Sequence, residues 1–132
     1  MKKTLRMVSL TLVSVMLLAA VAFATDYVNA HCIVPAFNGS TYSKGAGTKE
    51  STGSSAYLYD VTVGGGYEVD ARQADMTSDA RGAWARNLSS RNTSASLPGT
   101  SSMYRNDTIQ VQFSNDLTTT VSVEVNGRFD TN

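Results

Sequence analysis

Thr108-Ile109-Gln110-Val111-Gln112-Phe113 is the stretch on which the reading of this chain turns. Ile109, Val111 and Phe113 fall on one side of an extended backbone, Gln110 and Gln112 on the other. Apolar residues at a period of two mark a half-buried strand, because successive side chains of an extended chain point to opposite faces. Leu117 to Val125 repeats the pattern, with Val121, Val123 and Val125 set against Thr120, Ser122 and Glu124. Ser114-Asn115-Asp116 lies between them and is turn-forming, so the spacing predicts a β-hairpin with one buried face.

Upstream, Ala56 to Val63 places Tyr57, Tyr59, Val61 and Val63 on one face, and Tyr67 to Ala71 alternates Tyr67, Val69 and Ala71 with Glu68, Asp70 and Arg72. Gly64-Gly65-Gly66 permits a tight reversal between them, and a second hairpin is expected. A further strand is expected over His31 to Phe37, with Pro35 at a sheet edge or at the strand's end. Residues 38–55 are mostly Gly, Ser, Thr and Lys and read as a long, mobile polar loop. Within 73–105, Met76, Ala80, Ala83, Trp84 and Leu88 suit a short helix interrupted by Gly82, while Ala83 and Ala85 around Trp84 suit a strand equally well. Leu97-Pro98-Gly99-Thr100 marks a turn; it also begins like a sortase signal, but no apolar span and basic tail follow. The fold expected is all-β, a small antiparallel β-sandwich or barrel of about five to seven strands.

The first residues carry a different signal. Lys2, Lys3 and Arg6 precede an apolar run from Met7 to Phe23 that ends in Ala22-Phe23-Ala24. A charged start, an apolar middle and a small-residue exit form a secretory signal, with cleavage expected after Ala24. The organisation expected is therefore a signal peptide at 1–24 and one secreted domain at 25–132, with no membrane span in the mature form. The 132 residues carry eleven basic and eleven acidic side chains, and residues 25–132 retain eight basic and all eleven acidic ones. Such a balance gives no electrostatic footprint for nucleic acid.

One Cys and one His cannot build a Cys/His zinc site or an internal disulfide, and no cofactor or metal motif is present. His31 and Cys32 are neighbours, so on a strand they point apart and cannot share a proton. Glu68 and Asp70 share a predicted strand face at a spacing that would allow acid–base work on a glycosidic bond; a solvated charged face with Arg72 next in line is the preferred reading. Asp75 and Asp79, with Asp70, could offer oxygens to calcium, but no Asp-x-Asp-x-Asp-Gly series accompanies them. Gly64-Gly65-Gly66 lacks the Lys-Ser/Thr of a phosphate loop. The aromatic residues are chiefly Trp84 and six tyrosines, whose flat apolar faces and polar rims suit sugars or protein surfaces as well as they suit strands.

Arg81-Gly82-Ala83-Trp84-Ala85-Arg86-Asn87 resembles the Gly-x-Trp-Ala-Lys/Arg stretch of the lactococcin-like bacteriocins, and Ser94 to Tyr104 resembles their Ser/Tyr-rich tail. That resemblance implies a small secreted β-sandwich of a Gram-positive bacterium with toxin activity; it supplies no catalytic residue, and this chain continues where that family ends. The layout is also similar to small exported Firmicute proteins that end on a strand followed by a Gly-aromatic-Asp motif, here Val125-Asn126-Gly127-Arg128-Phe129-Asp130. The function expected is non-enzymatic binding of an envelope polymer or an extracellular protein, with Trp84, Arg81, Arg86 and Tyr104 as contact residues. A bacteriocin-like toxin is the alternative, and a small hydrolase using Glu68 and Asp70 is a second one.

Overall fold

The computed structural model describes residues 26–132, and the segment expected to be a signal peptide lies outside them. Ten strands follow in chain order: β1 (Val28–Asn29), β2 (Cys32–Val34), β3 (Ser40–Tyr42), β4 (Gly47–Thr48), β5 (Ala56–Val63), β6 (Val69–Asp75), β7 (Ala85–Leu88), β8 (Ala95–Leu97), β9 (Thr108–Asn115) and β10 (Val123–Asp130). They form two five-stranded antiparallel sheets that do not close into a barrel, consistent with a small β-sandwich. In the first sheet β1 and β2 both pair with β10, followed by β5 and β8; in the second, β3 and β4 both pair with β9, followed by β6 and β7.

Neither expected hairpin exists. β9 pairs with β6 and with the β3–β4 edge, whereas β10 pairs with β5 and with the β1–β2 edge, so the 116–122 connection crosses from one sheet to the other. β5 and β6 likewise sit in opposite sheets, and Gly64–Gly66 forms a 3₁₀ turn in that crossing, with Gly65 and Gly66 at φ of 66° and 72°. Period-two alternation fixes which face of a strand is buried, but a strand whose successor faces it across the core alternates in the same way. The 117–125 strand also begins later than expected, at Val123, leaving Leu117 and Val121 exposed.

The face assignment holds for β9, where Ile109, Val111 and Phe113 are fully buried. It fails for half of β5: Ala56 and Leu58 are buried and Tyr57 and Tyr59 point outward, whereas Val61 and Val63 are buried. The parity changes at Asp60, which has φ 53° and lies where the β5–β10 register shifts between Asn126 and Arg128. One extra residue in a bulge moves every later side chain to the other face. Residues 38–55, expected as a loop, contribute β3 and β4 to the second sheet, with Ser43 and Lys49 buried. The 73–105 stretch contains strands β7 and β8 and no helix.

Leu58, Val61, Phe129, Val125 and Leu97 from the first sheet meet Val69, Ala71, Leu88, Val111 and Phe113 from the second. Burying such side chains from water is the main stabilising term of a sandwich. One polar knot joins the layers. Lys49 Nζ donates to Ser54 O (2.5 Å) and Gln73 Oε1 (3.1 Å), and Gln73 Nε2 donates to Ser54 O and Leu97 O.

Candidate functional site

The outer face of the second sheet is built from the residues of β9, β6 and β3 that alternation turns away from the core. Tyr42, Gln112 and Arg72 stand opposite one another across three strands, and Ser40, Ser114 and Asp70 form the next row. Gln112 Nε2 donates to Ser40 Oγ (3.3 Å), and Gln112 Oε1 accepts from Arg72 Nε (2.8 Å). The Arg72 guanidinium lies 4.3 Å from the centroid of Trp84, the residue that leads into β7. Cation and ring quadrupole attract each other in that geometry. Arg72 is thus held at Nε and over the indole, while Nη1 and Nη2 have no hydrogen-bond partner among the described residues.

The neighbouring arginines are fixed differently. Arg86 Nη1 pairs with Asp70 Oδ2, and Asp70 Oδ1 accepts the Asn87 N–H (3.1 Å). Asn87 sits at φ 58° in a bulge opposite β6, which turns Arg86 toward Asp70. Arg81 donates through Nη1 to the carbonyls of Asp75 and Ala80 and through Nη2 to Tyr42 Oη (3.1 Å) and Asp79 (2.5 Å). Its guanidinium lies 5.6 Å from the Tyr42 centroid, and that of Arg86 lies 5.9 Å from Trp84. Burial, reinforced by the nearby Arg81 charge, lowers the Arg72 pKa. An arginine stays ionised even so.

The structure therefore brings together three of the expected residues, Trp84, Arg81 and Arg86, and adds Arg72, Tyr42 and Gln112. Tyr104 belongs elsewhere. It is exposed in the β8–β9 connection, and its N–H donates to Asp107 Oδ2 (2.7 Å). The alternation of 67–72 had already put Asp70 and Arg72 on a polar face, and that of 108–113 did the same for Gln112. What the sequence could not show was that these two faces are one, because β6 and β9 are neighbours only in the folded sheet.

Other candidate groups are engaged in the fold. Both Asp70 oxygens are taken, and Glu68 precedes β6 rather than lying within it, so the two do not form a strand pair. Burial would raise the Asp75 carboxyl, but hydrogen bonds from Ser78 Oγ and the Thr77 and Ser78 N–H groups hold it below the usual carboxylate range. Asp107 lies beside it; the Tyr104 N–H pulls its pKa down, but the hydrogen bond with Asp75, desolvation and the Asp75 charge together raise it. Asp79 pairs with Arg81, and no group of three or more His, Cys, Asp or Glu suited to a metal occurs among the described residues. Cys32 is buried, which pushes its thiol up to about 12, and His31 instead bonds through Nδ1 with Asn126 Oδ1 (2.7 Å). A polar cleft of about 580 Å³ between β1, β4 and the 105–106 loop includes Asp26, Glu50 and Arg105, away from the Trp84 row.

No helix among the described residues is long and apolar enough to cross a membrane. No protein-family model matches the chain, and no curated protein matches it.

Proposed function

We propose that this chain is an exported, non-enzymatic binding module that engages an envelope polymer or an extracellular protein through the outer face of its second sheet. One observation carries the reading. Arg72 is pre-positioned on Trp84 and Gln112 with its two terminal nitrogens unpartnered among the described residues, on a sheet face flanked by Arg81, Arg86 and Tyr42. Side chains already locked in one geometry lose little freedom on binding, which favours recognition over mere solvation. Arginine, tryptophan and tyrosine are also the side chains that dominate binding energy at interfaces. The segment at 1–24 supports export.

The test is cosedimentation of the purified protein with bacterial cell envelopes. Saturable binding is expected, lost in an Arg72→Ala, Trp84→Leu double variant that keeps the wild-type far-UV spectrum and unfolding midpoint. A folded double variant that sediments like the parent would refute the assignment of this face.

A further inference from the structure

We infer that the outer face of the second sheet takes a polyanionic, hydroxyl-bearing chain, with the free edge of the Arg72 guanidinium seating a carboxylate or phosphodiester group. This rests on the binding role proposed above and names its ligand class. The argument begins with charge. Arg72, Arg81 and Arg86 share the face with Asp70 and Asp79, and both carboxylates are already bound, to Arg86 and Arg81 respectively. One positive charge remains, and it sits at Arg72, which has no ion-pair partner among the described residues. Residues 25–132 carry three more acidic than basic side chains, so a local excess of positive charge runs against the balance of the domain.

Geometry narrows the ligand further. The Nε–H of Arg72 is committed to Gln112 and its guanidinium lies over the indole, which leaves the Nη1–Nη2 edge as the available fork among the described residues. Two parallel N–H donors in a fixed plane match the two oxygens of a carboxylate or of a phosphodiester. The Ser40–Gln112 hydrogen bond fixes the amide that fixes Arg72, so the fork is aimed before any ligand arrives. Around it stand Tyr42 Oη and the Ser40 and Ser114 hydroxyls, groups that exchange hydrogen bonds with ligand hydroxyls. Trp84 serves as the plate that holds Arg72, and its role is positioning.

Binding of the purified protein to polygalacturonate, to poly(glycerol phosphate) and to uncharged dextran tests the inference, beside the envelope assay. Binding to either anionic polymer but not to dextran is expected, and which of the two binds identifies carboxylate or phosphate as the natural group. Affinity should fall roughly three- to fivefold between about 50 mM and about 300 mM salt, as the release of one counterion requires. Arg72→Gln should weaken it by roughly tenfold or more, and Arg72→Lys, which keeps the charge and loses the fork, by an intermediate factor. Trp84→Leu should weaken it by less than Arg72→Gln while leaving the salt dependence in place. Equal binding to dextran, or a folded Arg72→Gln variant that binds as tightly as the parent, would overturn the inference. Saturable envelope binding with no affinity for either anionic polymer would overturn it too, and would leave the binding role standing. Failure on envelopes would remove that role itself.

Discussion

The two outer faces of the sandwich are made by the same device and end with opposite charge. On the first sheet, a bulge at Asp60 sets its carboxylate 2.6 Å from Arg128 Nε, and Arg128 lies 4.3 Å over the ring of Tyr27. On the second, a bulge at Asn87 turns Arg86 toward Asp70, and Arg72 lies 4.3 Å over Trp84. Each face thus has a left-handed Asx residue, an Arg–Asp pair and an arginine on an aromatic ring. On the first, however, the stacked arginine is also the paired one, and Asp130 and Glu124 add further negative charge. Its tyrosines pack on one another, Tyr27 against Tyr59 at 5.6 Å and Tyr57 against Tyr59 at 6.4 Å. On the second, Arg86 and Arg81 are paired and lie farther from their rings, at 5.9 and 5.6 Å, whereas Arg72, 4.3 Å from Trp84, has no ion-pair partner among the described residues and is left with a free edge. An arginine held over a ring without an ion pair is the feature on which the proposed recognition role rests.

Burial of the paired carboxylate should produce the largest difference between the faces. The Asp70 side chain is 9% exposed and that of Asp60 is 69% exposed. Asp70→Ala removes a charge-assisted bond and leaves the Asn87 N–H without its acceptor, which should cost about 2–3 kcal/mol in urea unfolding. A loss below about 0.5 kcal/mol would show that the bulge in β7 does not depend on Asp70.

The inner layers differ in the same way, through two buried titratable groups of opposite sense. Cys32 on β2 has its pKa raised from 9.0 to about 12 by burial. A raised value contributes stability that is complete below the unfolded pKa and is lost as pH climbs toward the folded one, by about 1–2 kcal/mol at pH 10. Lys49, beside β4, is lowered from 10.5 by burial, with Asp130 opposing. Its neutral form fits the fold better, so its penalty is relieved as pH rises through the folded value toward 10.5. Unfolding free energies between pH 7 and about 10.5 should therefore decline less steeply than Cys32 alone dictates. Cys32→Ala should turn the decline flat or upward, and Lys49→Met should steepen it. Identical pH profiles for all three proteins would remove both groups from the balance.

A smaller effect reads the second face directly. Trp84 is the single tryptophan, so its fluorescence reports the Arg72 stack without interference. Arg72→Gln should change the emission intensity with little change in stability, and Arg128→Gln on the other face should leave it untouched. Equal responses to the two substitutions would mean that Trp84 senses global change rather than its own cation.

How far the sequence reaches is clearest in β9 and β5. Alternation located the buried side of β9 correctly because the strand is regular from end to end and one face meets only the core. In β5 the same reasoning put Tyr57 and Tyr59 inside, since nothing in Tyr59-Asp60-Val61 announces an extra residue; the bulge is decided by the pairing with Arg128 and Asn126. Both expected hairpins failed for a related reason. Whether a strand's successor lies beside it or across the core is a matter of long-range pairing, invisible to a local period. Trp84, Arg81 and Arg86 were legible because they are close in sequence and chemically unusual together. Arg72 is twelve residues from Trp84 and was visible only as one member of a polar face; its partners Gln112 and Tyr42 come from strands 40 and 30 residues away.

The sharpest test of the asymmetry is the substitution expected to do least. Asp60 occupies a left-handed conformation that costs an ordinary residue free energy and costs glycine little. Its pair with Arg128 is solvent-exposed on both sides, and such pairs contribute about 0–1 kcal/mol. Asp60→Gly removes the pair and relieves the backbone, while the more flexible unfolded chain offsets part of that relief. The three terms nearly cancel, and a net change within about 0.5 kcal/mol is expected in urea unfolding. Affinity of the second face for its ligand should be unchanged, because neither Arg128 nor Tyr27 touches the Arg72 row. If Asp60→Gly instead costs as much as Asp70→Ala, the first face is held by its ion pair as firmly as the second. Burial of the carboxylate would then not be what distinguishes them, and the opposite charge and the free edge of Arg72 would remain as the differences on which the proposed recognition role rests.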